Sequence, residues 1–411
     1  MSKEKLIPEF RFPEFKDSGE WDVKTLGEVL IKNSKKNKNQ KYSQVESVSN
    51  KFGFIKQDEY FKNRRVASKD TSNYYVIKKG YFAYNPSRID VGSLAYKHND
   101  EISIISPLYV SFKANNELIN DYFLLSFFNS VTFTKQMIFE GGVRNTLNYD
   151  NLIQSKIPIP TIQEQQRIAS CLSSLDEVIE AHSKKLELLK DHKKGLLQNL
   201  FPQEGETVPK LRFPEFEGDG EWDTKTLDEL GELVNGLTYS PKDVRNEGLL
   251  VLRSSNIQNG IIDFNDCVYV RSDIKGANLS RPKDILICVR NGSKRLIGKN
   301  AIIPENIPLA THGAFMTVFR ASNPDFVFQL FQSDAYDRQV KADLGATINS
   351  INGKNFIKYE FAVPSNPQEQ QKIASCLSAV DELITAQQEK IDELQQHKKG
   401  LMQGLFPKIN D

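Results

Sequence analysis

The stretch QEQQRIASCLSSLDEVIEA, residues 163–181, recurs almost unchanged as QEQQKIASCLSAVDELITA at residues 368–386. In both copies apolar residues return in steps of three and four, which predicts a helix with a single apolar stripe. The heptad period continues for about 33 residues, or roughly 50 Å at 1.5 Å per residue, and is typical of a coiled coil. The predicted seam comprises Ile168, Leu172, Leu175, Ile179, Leu186 and Leu189 in the first copy, and Ile373, Leu377, Val380, Ile384, Ile391 and Leu394 in the second.

Both predicted helices carry the same start, end and interruptions. Thr161 and Ser365 are the predicted caps, and each helix ends near Gly195 or Gly400, or one turn later at Pro202 or Pro407. The seam is interrupted at matching places by polar residues, His182 and Lys193 in one copy, Gln387 and Lys398 in the other. Matching lengths and matching interruptions favour pairing of the two helices with each other. The alternative is that each amphipathic helix packs on its own domain.

A second repeated block precedes each divergent region. Residues 8–27, PEFRFPEFKDSGEWDVKTLG, return at 209–228 as PKLRFPEFEGDGEWDTKTLD, and each copy holds one of the two tryptophans. Between the repeated blocks lie residues 31–156 and 232–363, which we call the first and second reader and which barely resemble each other. A duplicated unit with fixed ends and a divergent middle favours two binding domains for two different ligands.

The readers predict a mixed fold in which strands dominate. Segments such as YYVIKKGYFAY (74–84), ISIISPLYVSF (102–112) and DILICVRN (284–291) are rich in β-branched and aromatic residues, while residues 121–137 are helix-like. The predicted fold class is α+β, with two strand-rich domains, two long helices that form a coiled coil and an internal repeat. The predicted divisions are 1–158 and 204–363 for the readers with their preceding segments, and 159–203 and 364–411 for the helices.

Charge is segregated along the chain. The 411 residues have a formal net charge of only +1, but the first reader carries +8 and the second +3. Local positive charge is what neutralises phosphates, so the overall balance does not exclude nucleic acid. The cysteines show no metal-ligand spacing, the first residues do not resemble a signal peptide, and no apolar run reaches about 18 residues. We therefore expect reduced thiols, a cytoplasmic location and no membrane contact.

The sequence contains only partial matches to catalytic motifs. The nearest approach to a phosphate loop runs from Gly292 to Gly298-Lys299-Asn300, where the gap is one residue too long and no hydroxyl follows the lysine. Asn85-Pro86 and Asn323-Pro324 match half of an amino-methyltransferase motif without a glycine-rich donor loop, and Asn-Pro commonly opens turns. The five histidines suggest neither a nucleophile pair nor a metal site. We expect no catalytic centre, metal or cofactor in this chain.

The two RFPEF-x4-EW blocks and the two QEQQ-x-IASCLS helix starts resemble type I restriction–modification specificity subunits over the whole chain. The resemblance implies two target-recognition domains, each contacting one half of a split, asymmetric site on double-stranded DNA. It implies that the two long helices form an antiparallel coiled coil with a pseudo-twofold axis and the readers at opposite ends, and that this helix pair sets the unread spacer. It also implies docking of two methylation (M) subunits that bring S-adenosylmethionine, and of restriction (R) subunits that use ATP and Mg²⁺.

DNA-contacting residues are predicted from residue chemistry, because Arg and Lys read guanine or bind phosphate while Asn and Gln read adenine. In the first reader the candidates are Lys35, Lys36, Lys38, Arg64, Arg65, Asn85, Arg88, Arg144 and Asn145. In the second they are Tyr239, Lys242, Arg253, Asn256, Arg290, Asn291, Lys294 and Arg295. Solvated loops and ordinary hairpin turns remain the alternative for these segments.

Partner docking is predicted at aromatic residues of the repeated block. These are Phe12, Phe15 and Trp21 in the first copy and Phe213, Phe216 and Trp222 in the second. The alternative is local packing that fixes the segment onto the helices. For the whole chain, two other functions remain open: a DNA methyltransferase or nuclease with its own active site, and a scaffold whose two variable domains bind proteins.

Overall fold

The computed structural model describes residues 6–50, 53–60, 67–137, 146–344 and 349–407. The chain divides into two compact units, Met1–Ser183 with Glu389–Asp411, and Lys184–Gln388. Both divisions fall inside the long helices, so each unit contains half of each helix. Four predicted DNA-contacting residues lie outside the described residues, namely Arg64, Arg65, Arg144 and Asn145.

The first unit contains the first reader. Its strands are β1 Asp22–Thr25, β2 Leu30–Lys32, β3 Glu46–Ser49, β4 Gly53–Lys56, β5 Tyr75–Ile77, β6 Tyr81–Tyr84, β7 Leu94–Tyr96, β8 Ser103–Ile105, β9 Val110–Ala114 and β10 Lys156–Ile159. Its short helices are α1 Leu26–Val29, α2 Gln57–Tyr60, α3 Asp121–Phe128, α4 Val131–Gln136 and α5 Tyr149–Leu152. The long helix α6, Ile162–Leu200, begins in this unit.

The second unit contains the second reader. Its strands are β11 Asp223–Thr226, β12 Gly231–Asn235, β13 Val244–Arg245, β14 Leu249–Leu252, β15 Ile257–Gln258, β16 Ile261–Ile262, β17 Val268–Val270, β18 Leu279–Ser280, β19 Ile285–Cys288, β20 Asn300–Ile302, β21 Ala310–His312, β22 Met316–Ala321 and β23 Glu360–Val363. Its short helices are α7 Leu227–Leu230, α8 Pro324–Leu330, α9 Asp334–Asp343 and α10 Gly353–Phe356, and the second long helix is α11, Pro367–Leu405.

The two readers share a four-stranded antiparallel sheet of one topology despite their divergent sequences. Its order is β2-β9-β6-β7 in the first reader and β12-β22-β19-β20 in the second. In the first reader β5 pairs with β8 in a two-stranded sheet, whereas in the second β18 pairs with β21 within a five-stranded sheet of order β13-β17-β14-β21-β18. Both readers also contain a parallel contact, the bridge Val45↔Ile104 in the first and the pairing of β14 with β21 in the second. The predicted α+β class is confirmed.

The repeated block closes each reader. The strand that follows Trp21, β1, pairs antiparallel with β10, and β11 pairs in the same way with β23. Since β10 and β23 lead directly into the long helices, each reader begins and ends beside its helix start. The core of each unit combines the reader's aromatic residues with the apolar faces of both helices.

The long helices are antiparallel. In the first unit Ile168 and Leu172, near the start of α6, share a core with Leu405 and Phe406, at the end of α11. In the second unit Leu200 and Phe201 meet Ile373 and Leu377. The beginning of each helix therefore packs against the end of the other, as predicted. Each helix has 39 residues, about 58 Å at 1.5 Å per residue.

The helix boundaries differ from the prediction in two respects. Gly195 and Gly400 lie inside the helices, so the later of the two predicted ends, just before Pro202 and Pro407, is the correct one. At the start of α11 the capping residue is Asn366, whose side chain accepts from the Gln368 amide at 3.0 Å. Ser365 instead donates to Asp223, because Pro367 opens the helix one residue later than expected. Thr161 directly precedes α6 as predicted.

The predicted seam residues are shielded from solvent. Those that are buried are Ile168, Leu172, Leu186, Ile373, Leu377, Val380 and Ile391. The others are partly buried, namely Leu175, Ile179, Leu189, Ile384 and Leu394. This burial follows from the heptad pattern, and it leaves the charged faces of both helices exposed.

Candidate nucleic-acid interface

A buried ionic cluster fixes each repeated block to its helix. Arg11 donates two hydrogen bonds to the two carboxylate oxygens of Glu164, both at 2.8 Å, and the Trp21 indole donates to the same carboxylate at 3.2 Å. The second unit repeats this with Arg212, Glu369 and Trp222, at 2.8, 2.8 and 3.3 Å. Each glutamate is only 1% exposed. The glutamate of QEQQ and the arginine of RFPEF are therefore two halves of one contact.

The glutamine that follows ties each reader to the same helix start. Gln165 accepts from the backbone amide of Asn120 and donates to the carbonyl oxygens of Leu118 and Pro160. In the second unit Gln370 accepts from the Asn323 side chain and donates to the Pro364 carbonyl oxygen. Asn120 and Asn323 cap the reader helices α3 and α8. The reader, the repeated block and the long helix thus meet at one polar junction in each unit.

The predicted docking aromatics divide into two groups. Trp21 and Trp222 are each 3% exposed and pack in the cores of their units, and Phe216 is 6% exposed. These three side chains present almost no surface to a partner, which favours the packing alternative for them. The remaining three are partly exposed: Phe12, with the Arg167 guanidinium 4.8 Å above its ring; Phe213, with the Lys372 ammonium at 5.6 Å; and Phe15.

The lysines that interrupt the seam make matching ion pairs. Lys193 contacts the Asp381 carboxylate at 2.7 Å in the second unit, and Lys398 contacts Asp176 at 2.5 Å in the first. Asp381 also accepts from the side chain of Gln329, on the reader helix α8, at 3.0 Å. A polar residue in a seam favours the one register in which its charge is satisfied.

Four loops of the second reader form a cleft of about 520 Å³. Because β14 and β21 run parallel, the loops that follow them leave the sheet at the same end. Tyr239, Arg253, Ser254 and Phe315 line this cleft. The loop of residues 290–295 joins them, since Asn291 donates to the Ser254 hydroxyl at 3.2 Å and the Arg290 guanidinium lies 5.8 Å from the Phe315 ring centroid.

Several predicted DNA-contacting residues of the second reader lie around this cleft, and one of the predicted residues is buried. Tyr239, Arg253, Arg290 and Asn291 lie around the cleft. Lys242, Lys294 and Arg295 are exposed on the same reader. Asn256 is fully buried, because its side chain accepts from the Arg253 amide and donates to the carbonyls of Asp263 and Asp266. Its role is to hold the loop, and a base contact by Asn256 is excluded in this conformation.

Arg253 is held by an ion pair, but one of its hydrogen-bond donors lacks an acceptor. Its guanidinium donates to the Asp266 carboxylate at 2.7 Å, and the side chain is 33% exposed. The Nε atom is buried and has no hydrogen-bond partner among the residues that the structure describes. A buried donor without an acceptor is uncommon in proteins. Arg253 is therefore the residue of this cleft whose hydrogen bonding is most incomplete.

In the first reader the candidates lie on two loops. Lys35 and Lys38 are exposed, while the Lys36 ammonium lies 3.1 Å from the centroid of the Tyr75 ring. Asn85 accepts from the Ser87 amide in a tight turn, and Arg88 in the same turn is exposed. Arg88 and the two exposed lysines can reach an outside ligand, whereas Lys36 is already paired with an aromatic face.

Sequence reasoning missed two groups of residues. The buried ion pairs of Glu164 and Glu369 were not predicted, although an arginine recurs in both RFPEF blocks and could have identified the partner. The exposed apolar residues Leu108 and Phe315, at turns of the two readers, carried no signal in the sequence. An apolar residue between two strand segments reads as part of the core.

In the parts of the chain that the structure describes, no group of three or more His, Cys, Asp or Glu side chains could hold a metal ion. Within the same residues, no helix combines the length and apolar character needed to cross a membrane.

Comparison with known proteins gives one consistent result. The family described as "Type I restriction modification DNA specificity domain" matches residues 18–191 and again residues 219–396. The putative type I restriction enzyme MjaX specificity subunit of Methanocaldococcus jannaschii is 24% identical over 411 aligned residues, covering 93% of this chain and 92% of the relative. The crystal structure of a type I restriction-modification system S subunit from M. genitalium has a TM-score of 0.62 at 14% identity, covering 98% of this chain and all (100%) of that one. A chain from a study of complex assembly and conformational transition in the type I R-M system has a TM-score of 0.53 at 18% identity, and the match covers 94% of this chain and 97% of that one. The likeness to these two structures shows that the protein has the same fold.

Proposed function

Because this chain belongs to the type I restriction modification DNA specificity family, we propose that it selects the DNA site on which a methylation complex acts. Each reader contacts one half of a bipartite, asymmetric site in double-stranded DNA. The bases are read by loop residues at the cleft of the second reader and by the exposed loops of the first.

One observation carries this proposal: the two readers share a four-stranded sheet of one topology but present different side chains on corresponding loops. In the second reader the loop after β19 carries Arg290, Asn291, Lys294 and Arg295, whereas the candidates in the loop after β6 of the first reader are Asn85 and Arg88. A shared scaffold with a different number and spacing of contact residues suits two unlike half-sites. Arg and Asn are the side chains that discriminate guanine and adenine edges in the major groove.

The helix pair is the element that sets the distance between the half-sites. Each helix is about 58 Å long, and successive major-groove segments on one face of B-DNA repeat about every 34 Å. The ion pairs Lys193–Asp381 and Lys398–Asp176 favour a single register of the helices, and a single register supports a spacer of fixed length.

The exposed faces of the two repeated blocks, around Phe12 and Phe213, are the docking sites for two methylation subunits. Phe12 and Phe213 are partly exposed at corresponding positions, each with a cation of its own long helix over the ring. Two equivalent surfaces suit two copies of one partner. In this proposal the chain performs no chemistry: S-adenosylmethionine is bound by the methylation subunits, and ATP and Mg²⁺ by restriction subunits that join the complex.

The test is to map methylated adenines in DNA exposed to this chain together with its methylation partner. The proposal requires one split motif with two unlike halves and a constant spacer. It fails if methylation shows no sequence preference or a single uninterrupted motif. It also fails if the purified chain alone transfers labelled methyl groups from S-adenosylmethionine to DNA.

A further inference from the structure

The two readers expose a large apolar side chain at the same turn. In the first reader this turn joins β8 to β9 and carries Leu108, which is 81% exposed; in the second it joins β21 to β22 and carries Phe315, which is 58% exposed. Leu108 is the most exposed large apolar residue in the described part of the chain. Exposure of a lone apolar residue needs no explanation by itself, but its recurrence at corresponding positions of two divergent domains does.

The backbone beneath Phe315 is held on every side. Its carbonyl oxygen accepts from the amides of Val289 and Arg290, at 3.0 and 3.1 Å, and the turn is closed by a bond of 2.8 Å from the Met316 amide to the Gly313 carbonyl. A Cβ atom at Gly236 would collide with the Gly313 carbonyl, so the neighbouring loop approaches the turn backbone to backbone. The side chain is therefore presented from a fixed backbone without being buried.

The turn of Leu108 is built in the same way. The Tyr109 amide donates to the Ser106 carbonyl at 3.1 Å, and the Leu108 amide faces the Ser106 hydroxyl at 3.3 Å. Two unrelated sequences, SPLY and GAFM, thus form one kind of turn with an apolar residue at the third position. Holding a contact residue in place before binding lowers the entropy cost of that binding.

Phe315 stands beside two cations. The guanidinium of Arg290 lies 5.8 Å from the centroid of the Phe315 ring, and Arg253 lines the same cleft. An exposed apolar side chain next to arginine side chains suits a ligand that combines phosphates with apolar groups. In the major groove, the apolar group of DNA is the C5-methyl of thymine.

We infer that Phe315 and Leu108 are specificity-determining residues that contact a thymine methyl group, one in each half of the DNA site. This inference rests on the function proposed above and adds to it the base feature that each reader senses at one position. Arg290 and Arg253, beside Phe315, bind the flanking phosphates or base edges, and in each reader the fixed turn sets the depth at which the apolar side chain enters the groove.

The experiment uses the full chain assembled with its methylation partners. Duplexes are selected from a randomised library at fixed salt by the wild type and by Phe315→Ala, Leu108→Ala and Leu309→Ala. Leu309 is the matched control, because it is 62% exposed but precedes β21, at the opposite end of that strand from Phe315. Phe315→Leu, which introduces the residue of the first reader, keeps an apolar contact and tests whether loss of activity reflects misfolding.

We expect Phe315→Ala to weaken binding of the selected duplex roughly tenfold and to relax selection at one thymine of one half-site. Leu108→Ala does the same in the other half, Phe315→Leu retains most of the selectivity, and Leu309→Ala binds as the wild type does. Replacing that thymine by deoxyuridine removes the methyl group and mimics Phe315→Ala, and the two changes together cost little more than either alone. The slope of affinity against salt is unchanged, because no charge is removed.

The inference is overturned if Phe315→Ala selects the wild-type motif with wild-type affinity. A half-site without thymine, or full additivity of the alanine and deoxyuridine effects, contradicts it equally. These results are distinct from failure of the proposed function itself, in which the wild-type complex selects no split motif and the inference falls with it.

Discussion

Lys193, on the first long helix, donates to both carboxylate oxygens of Asp381 on the second, at 2.7 and 2.8 Å. The corresponding residues of the other unit, Lys398 and Asp176, form the same pair. Each lysine occupies a position where the heptad pattern calls for an apolar residue. In the structure the ammonium group of each lysine reaches across the interface to an aspartate of the opposite helix, and this pairing is possible in only one register of the two helices.

Replacing Lys193 by methionine should destabilise the second unit by about 1–2 kcal/mol, since Asp381 then keeps only Gln329 as a partner. Urea denaturation measures this loss. The double variant Lys193→Met with Asp381→Leu should recover most of it, because two apolar residues pack in the seam without a stranded charge. If the double variant loses as much as the two single changes combined, the two residues are not coupled.

The buried cluster at the helix start should be far more sensitive. Glu164→Gln leaves the Arg11 guanidinium, 6% exposed, without its anion, and we expect a cost of about 3–5 kcal/mol. The matched control is Glu14→Gln, which removes an exposed ion pair with Arg167 and should cost less than about 1 kcal/mol. Similar denaturation midpoints for the two variants would contradict the structural role assigned to Glu164.

Acid should destabilise the second reader through His312. Burial lowers the pKa of His312 below its usual 6.5, against the opposing effect of the Val234 carbonyl, which its Nε2 atom faces at 2.9 Å. The unfolded chain therefore takes up a proton near pH 6.5 that the folded chain resists. Stability from this source is complete above that pH and is lost as the pH falls from 6.5 towards the folded pKa.

The variant His312→Gln should accordingly show a smaller decrease in the free energy of unfolding between pH 7 and 5 than the wild type. His192→Gln, at an exposed position of the first long helix, is the control and should keep the wild-type slope. Equal slopes for all three proteins would show that folding does not lower the pKa of His312.

Exchanging the second reader, residues 232–363, for that of a relative should change one half of the methylated motif and leave the other half and the spacer intact. The physical reason is that each reader belongs to its own compact unit with its own core. Sequencing of methylated DNA provides the measurement. A simultaneous change in both halves would mean that the readers do not act independently.

The sequence was sufficient for the helices because their periodicity is regular and repeated. The seam and the ends at Pro202 and Pro407 follow from residue spacing, whereas the antiparallel direction was implied by the family resemblance. The cap at Ser365 was wrong because Pro367 can occupy the first turn of a helix, which moves the cap to Asn366. Local propensity could not separate these neighbouring polar residues.

The contact surface was much harder to predict. A loop composition of Arg, Asn and Ser identified Arg253, Arg290 and Asn291, which do converge, but it also selected Asn256, which is consumed by backbone hydrogen bonds. Composition cannot distinguish a side chain that hydrogen-bonds within its own loop from one that is exposed to an outside ligand. The exposure of Phe315 depends on the parallel pairing of β14 with β21, a long-range relationship that no local pattern encodes.

The most direct test of the account is to insert one heptad into both long helices, between Ser183 and Lys184 and between Gln388 and Glu389, and to map the methylated sites. Seven residues add about 10.5 Å of helix, which corresponds to about three base pairs of B-DNA. The account predicts both half-sequences unchanged and a spacer longer by about that amount. An unchanged spacer, or altered half-sequences, would contradict the claim that the helix pair sets the distance between two independent readers.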